Sequence, residues 1–331
     1  MKKIIYIFII MAATVLNPVR SQDFHLSMYD AAPLFLNPAL TGVVDASWRV
    51  HAQYRNQWRA VAFKPYNTAL ISLDIPKGKW GFGGQIIEMR AGVGNYNVLQ
   101  GLLSAAYAVP LDKEQYNHIS LGIQAGITQK RVEYALYTFD NQYTSANGGY
   151  FDKSISSGEN FNTQSYIIPQ VNAGFMYFYS KQQARLNPFV GYSAFNLTNP
   201  RETFFGYDNK LPIRHYIQGG VRININELFY ILPKALFMLQ TNASEQTYAC
   251  DMGYFLKNEE MYLLGGVTYR YKDASIVYVG FRKNSYIAKF GYDANVSGLH
   301  DVSKYRGAFE ISFTYMGKKS KSKEVRHCPR L

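Results

Sequence analysis

Trp48-Arg49-Val50-His51-Ala52-Gln53-Tyr54-Arg55 is the stretch on which the fold turns. One parity is apolar or aromatic and the other polar. Successive side chains of a strand point to opposite faces, so this alternation describes a ribbon with one greasy and one wet surface. Ile119-Ser120-Leu121-Gly122-Ile123-Gln124-Ala125-Gly126-Ile127-Thr128 repeats the pattern, with apolar odd positions and small or polar even ones. A soluble sandwich alternates in the same way, so a single strand decides nothing. Repetition, spacing and the sorting of the loops decide it.

About fourteen such segments follow one another, bounded by turn residues. They lie near 46–56, 67–75, 80–88, 98–109, 118–129, 167–179, 187–196, 215–225, 230–240, 246–256, 261–271, 274–282, 286–293 and 307–316. A membrane strand needs about 9–11 residues, so fourteen use about 140 and leave ample chain for turns and loops. The connections divide by parity. Odd-numbered ones include the long stretches Val132 to Tyr166, Leu197 to Arg214 and Ala294 to Arg306. Even-numbered ones are tight, such as Pro76-Lys77-Gly78, Asn226-Glu227 and Lys283-Asn284-Ser285. Long loops on one rim and short turns on the other predict an all-β, transmembrane, antiparallel up-and-down β-barrel of about 14 strands, greasy outside and wet within, with both termini periplasmic. Aromatic segment ends such as Tyr177-Phe178-Tyr179, Tyr269 with Tyr271, and Phe313 with Tyr315 suit the interfacial girdles of such a barrel.

Composition agrees. The chain has 331 residues, 47% hydrophobic, 16% aromatic and only 18% charged, with a mean hydropathy of -0.20. That mean is too low for a bundle of apolar helices, and the aromatic content excludes a disordered chain. At the N-terminus, Lys2 and Lys3 precede an apolar run from Ile4 to Leu16, then Asn17-Pro18, then small Val19 and Ser21. This is the plan of a secretory signal peptide over 1–21. Its removal takes Lys2, Lys3 and Arg20 from the 35 basic side chains, leaving 32 against 23 acidic ones, net +9. For an exported protein that excess argues for lipopolysaccharide or other outer-membrane lipid, peptidoglycan or an acidic protein as partner, and against nucleic acid. Residues 22–45 form a periplasmic or plug segment ahead of the barrel at 46–316, and 317–331 a basic periplasmic tail.

Chemistry-bearing patterns are lacking in the sequence. Six histidines are scattered without metal-ligand spacing, and no HExxH, GxSxG or phosphate-loop motif occurs. Gly81-Phe82-Gly83-Gly84 reads as room for a neighbouring backbone or a barrel bend. No enzyme activity, metal or cofactor is expected. The two cysteines, Cys250 and Cys328, read as inert thiols.

Leu36-Asn37-Pro38-Ala39 with Gly42, then Tyr54-Arg55-Asn56-Gln57-Trp58 and Pro65, form an ordered set of motifs. Gly191-Tyr192-Ser193-Ala194-Phe195-Asn196-Leu197, Gly291-Tyr292-Asp293, Gly307-Ala308-Phe309-Glu310 and the terminal Cys328-Pro329-Arg330 continue it. Together they resemble the PorP/SprF family of Bacteroidetes outer-membrane proteins of the type IX secretion and gliding-motility system. Leu331 stands where Phe is expected. The resemblance implies an accessory barrel that binds a secreted surface protein, such as an adhesin, or a periplasmic machinery protein or lipoprotein. Asn37, Pro38, Gly42, Arg55, Trp58, Tyr292, Asp293, Pro329 and Arg330 are its candidate partner-binding residues. The competing expectation is a transport channel for a small or hydrophobic solute, with the leader as its plug.

Overall fold

The computed structural model describes residues 25–59, 64–161, 163–181, 183–205, 209–241, 243–298 and 300–317. The expected signal peptide and the tail carrying Pro329 and Arg330 lie outside them. The strands are β1 (Arg49–Gln57), β2 (Tyr66–Lys77), β3 (Trp80–Ala91), β4 (Tyr96–Pro110), β5 (Asn117–Arg131), β6 (Tyr143–Thr144), β7 (Tyr150–Phe151) and β8 (Ser165–Tyr179). There follow β9 (Leu186–Phe195), β10 (Arg214–Asn224), β11 (Phe229–Gln240), β12 (Ala243–Leu256), β13 (Met261–Arg270), β14 (Ala274–Lys283), β15 (Tyr286–Asn295) and β16 (Arg306–Met316).

Fourteen of them, all but the small β6–β7 hairpin, close into one antiparallel barrel in chain order. β1 and β16 complete the ring, in register from Arg49 opposite Met316 to Gln57 opposite Ala308. Closure removes both sheet edges, the condition for a β structure to stand in hydrocarbon. All fourteen segments read from the sequence are present, with ends displaced by only a few residues. β1 begins and β16 ends at the short-turn rim. Within the loop between β5 and β8, β6 and β7 pair Tyr143 with Phe151; strands this short leave no period to read.

The outer surface shows why the barrel belongs in a membrane. Leu103, Ile123 and Val279 are 75%, 66% and 66% exposed, and Ile71, Phe82, Leu121 and Phe313 join them in an apolar belt. Each half-exposed large apolar side chain left in water forfeits about 1 kcal/mol. Dozens of them outweigh a net folding stability of about 5–15 kcal/mol. Lipid removes that conflict. Aromatic rings bound the belt: Trp48, Trp80, Tyr286 and Tyr315 near the short-turn rim, and Tyr54, Tyr248, Tyr269 and Tyr292 near the other. Trp48 packs on Tyr315 at 5.1 Å between ring centroids, and Trp80 on Tyr107 at 4.8 Å.

The inner face departs from the expected wet bore in one sector. Met176, Phe178, Phe189, Phe195, Tyr216, Leu232, Leu236 and Met238 on β8–β11 form a buried apolar cluster with Tyr29, Leu36 and Leu40. The wall there is greasy on both sides because it packs against a piece of the chain lying inside the barrel.

Candidate functional site

That piece is the leader ahead of β1. It bonds to strands on opposite sides of a closed cylinder, so it fills the bore. Its local form follows from two prolines: Pro33 and Pro38 each open a single helical turn, where their missing N–H and fixed φ cost nothing. Asn37 stands extended between the turns. Its Oδ1 accepts from the Ala39 N–H at 2.9 Å, and its Nδ2 donates to the Phe175 carbonyl at 2.9 Å and the Tyr192 carbonyl at 3.3 Å. One side chain thus caps the plug and stitches it to β8 and β9.

Buried peptide groups need partners, and the polar inward positions of the wall supply them. Ser193 Oγ donates to the Leu36 carbonyl at 2.9 Å and Ser120 Oγ to that of Ala39 at 2.7 Å. Gln124 and Gln85 Nε2 approach the Leu34 carbonyl at 3.3 and 3.4 Å. Thr41 Oγ1 donates to Ser104 Oγ at 2.9 Å, and the Gly42 N–H to Asp74 Oδ2 at 2.7 Å. Glycines let the backbones approach. A side-chain carbon at Gly174 would lie 2.0 Å from Asn37 Oδ1, and one at Gly122 would lie 2.4 Å from the Pro38 carbonyl carbon. Gly81 meets Thr41 and Gly42 in the same way.

The first turn of the leader is held by charge instead. Arg55 on β1, 2% exposed, donates to Asp293 at 2.9 Å and to Glu310 at 3.0 Å. The Ser27 and Met28 N–H groups donate to the two Glu310 oxygens at 2.9 and 2.8 Å, and Ser27 Oγ donates to Asp293 at 2.6 Å. Arg55 also donates to Ser27 Oγ, and Gln53 to Glu310. A second knot joins Lys234 to Asp30 at 2.7 Å and to Asp251, with Lys289 at 3.6 Å from Asp30. Burial works against the Asp30 charge, yet the two lysines outweigh it and hold the carboxyl well below its ordinary range.

Cavities lie on both sides of the plug. One of about 960 Å³ opens toward the long loops, with His25, Trp58, Arg214 and Gln240 in its wall. Toward the short turns lie two of about 500 Å³ each, one beside Thr41, Lys79 and His118 and the other beside Asp30, Arg222 and Lys289. On the long-loop side, rings tie two loops together: Phe161 meets Phe205 at 4.7 Å and Tyr134 at 4.8 Å, and Tyr166 meets Phe204 at 4.7 Å. Tyr143, Tyr150 and Phe151 on the small hairpin stay exposed.

The candidate residues therefore separate. Asn37, Pro38 and Gly42 belong to the plug, and Arg55 and Asp293 meet in one ion pair. Trp58 leaves β1 with a left-handed φ of 60° and lines the large cavity. Tyr292, 41% exposed, is on the lipid-facing surface. Sequence reading missed Ser27, Asp30, Lys234, Asp251 and Glu310 as plug contacts. The available signal was a charged residue at an inward position of a strand, which a membrane barrel retains only with a partner.

Among solved structures, the chain is similar to the Pseudomonas putida toluene transporter TodX, with a TM-score of 0.53 and 10% identity over 90% of this chain and 95% of that one. The Ralstonia pickettii toluene transporter TbuX follows at TM-score 0.51 and 10% identity, over 87% and 94%. The monoaromatic hydrocarbon channel CymD gives TM-score 0.50 and 11% identity, over 87% and 93%. At these identities the likeness is one of fold. No curated protein matches the chain. Residues 19–315, nearly the whole barrel and its plug, match the family described as type IX secretion system membrane protein PorP/SprF. This outer-membrane β-barrel belongs to that family.

Proposed function

We propose that the chain is an accessory barrel that binds an exported type IX surface protein at its long-loop rim and periplasmic machinery at its short-turn rim. The plug carries this reading. A bore filled by a leader bonded to β1, β5, β8, β9, β15 and β16 suits a platform better than a conduit. The exposed aromatic hairpin and the ring-braced loops supply rigid, adaptable contacts on the outer rim. In this reading the short-turn rim and the basic tail, with Pro329 and Arg330, face the periplasm and meet an acidic partner. Trp58 serves the outer partner, whereas Asn37, Gly42, Arg55 and Asp293 act at one remove, by fixing the plug. The family membership supports a place in secretion.

The test joins genetics to crosslinking. Deleting the gene leaves one surface protein unsecreted or unattached, and a photoreactive group at Tyr143 or Phe151 captures that protein in whole cells. Normal display of all type IX cargo in the deletion strain would contradict the reading.

A further inference from the structure

The long-loop cavity has a lining whose chemistry the plug does not use. Trp58, Tyr66, Tyr96 and Tyr137 enter it from the β1–β4 sector and the loop beyond β5, each only half-buried. Across the bore stand side-chain amides, among them Gln170, Asn196 and Gln240. Strand order places β1 and β2 opposite β10 and β11, so rings face amides over the opening. Asn196 Nδ2, Gln240 Oε1 and His25 Nε2 are buried and have no hydrogen-bond partner among the described residues. Burying such groups is costly unless a partner arrives.

The charges in this wall are largely spent on one another. Lys130 pairs with Glu202, Arg270 Nε with Asp273 at 2.5 Å, and His25 Nδ1 lies 3.4 Å from Glu245. Arg214 lies over the rings of Phe195 and Tyr216 at 5.1 and 5.2 Å. Besides Lys210 and Arg214, the remaining lining is neutral: amides, with Asn196 Nδ2 and Gln240 Oε1 still to be satisfied, and aromatic surface. An amide matches two adjacent hydroxyls of a sugar, because each hydroxyl donates and accepts. The C–H face of a pyranose packs on an aromatic ring.

We infer that this bowl is a binding site for a neutral oligosaccharide, stacked on the Trp58–Tyr66 wall and hydrogen-bonded by Gln170, Asn196 and Gln240. Its volume of about 960 Å³ is at the upper end of small-ligand sites, about 300–1,000 Å³, which gives room for several rings.

The experiment uses the full chain in a detergent without a sugar headgroup. It is titrated with neutral pentaoses of glucose, mannose, galactose and N-acetylglucosamine while tryptophan fluorescence is read. Trp48 and Trp80 lie at the opposite rim, so a saturable change is expected with at least one sugar and is lost in Trp58→Phe. Gln240→Leu, confirmed as folded by an unchanged unfolding midpoint, weakens that sugar about fivefold, the loss expected for one hydrogen bond. No saturable change with any sugar of the panel, a change that survives in Trp58→Phe, or saturation by an unstructured peptide in place of sugar would each overturn the assignment.

Discussion

The two halves of the plug are anchored by opposite means. Residues 32–42 are neutral, and they sit on glycines and hydroxyls of β3–β9, with two charged contacts: Asp74 on β2 accepts from the Gly42 N–H, and Arg49 on β1 donates to the Leu40 carbonyl at 3.2 Å. Residues 25–31 are tied to β1, β11, β15 and β16 through carboxylates, an arginine and lysines. The neutral half depends on shape: it tolerates almost no added atom, but salt and pH scarcely touch it. The charged half is strong only as a complete set, since removing one member strands the others in a buried site. A seat and a latch are thus built into one short segment, and they fail differently.

The largest effect is expected where shape rules. Gly174→Val would put side-chain carbon where Asn37 Oδ1 already lies. The plug cannot be seated, and the variant is expected to lose the folded, heat-shifted band on a gel. The latch should break next. Arg55→Met leaves Asp293 and Glu310 facing each other without their shared cation, a loss of about 3–5 kcal/mol for a broken buried pair. Denaturant unfolding in detergent measures it, and cleavage between residues 25 and 31 by added protease should rise in parallel.

Asn37→Ala should cost less, about 1–3 kcal/mol for the lost cap and two wall bonds, read in the same unfolding assay. Acid separates the halves more gently. Asp30 is held below the ordinary carboxylate range by Lys234 and Lys289. Its contribution is full above the unfolded value, about 4, and fades as pH falls toward the depressed one. Hydrogen exchange should therefore show the Ala31 amide, which closes the turn holding Asp30 by donating to the Met28 carbonyl, losing protection relative to Leu40 below about pH 4. Equal loss in both halves would erase the distinction.

Much of this architecture is legible in the sequence, because period-two alternation is a local signal. Each barrel strand carries its own copy of it, and Asn-Pro or Gly punctuation marks the ends. The plug residues Asn37 and Pro38 stand out for the same local reason. The latch does not. Arg55 and Glu310 are brought together when β16 closes on β1, in direct register, and nothing near either residue in sequence announces the other. Tyr292 and Asp293 show the limit of motif reading: they are neighbours in the chain, yet one faces lipid and the other lies in the bore at 1% exposure. The apolar sector on β8–β11 was hidden because parity cannot say which face is which where both are greasy.

The central claim, that the leader lies inside the barrel against its wall, is tested most directly by a disulfide. Thr41 and Ser104 hold their hydroxyls 2.9 Å apart, close enough for two thiols to reach the S–S distance of about 2.05 Å with little movement. Thr41→Cys with Ser104→Cys, in a chain with Cys250 and Cys328 changed to Ser, is expected to crosslink during export and to shift on a non-reducing gel. A pair that stays reduced, with residue 41 freely labelled by a maleimide, would contradict the plugged barrel.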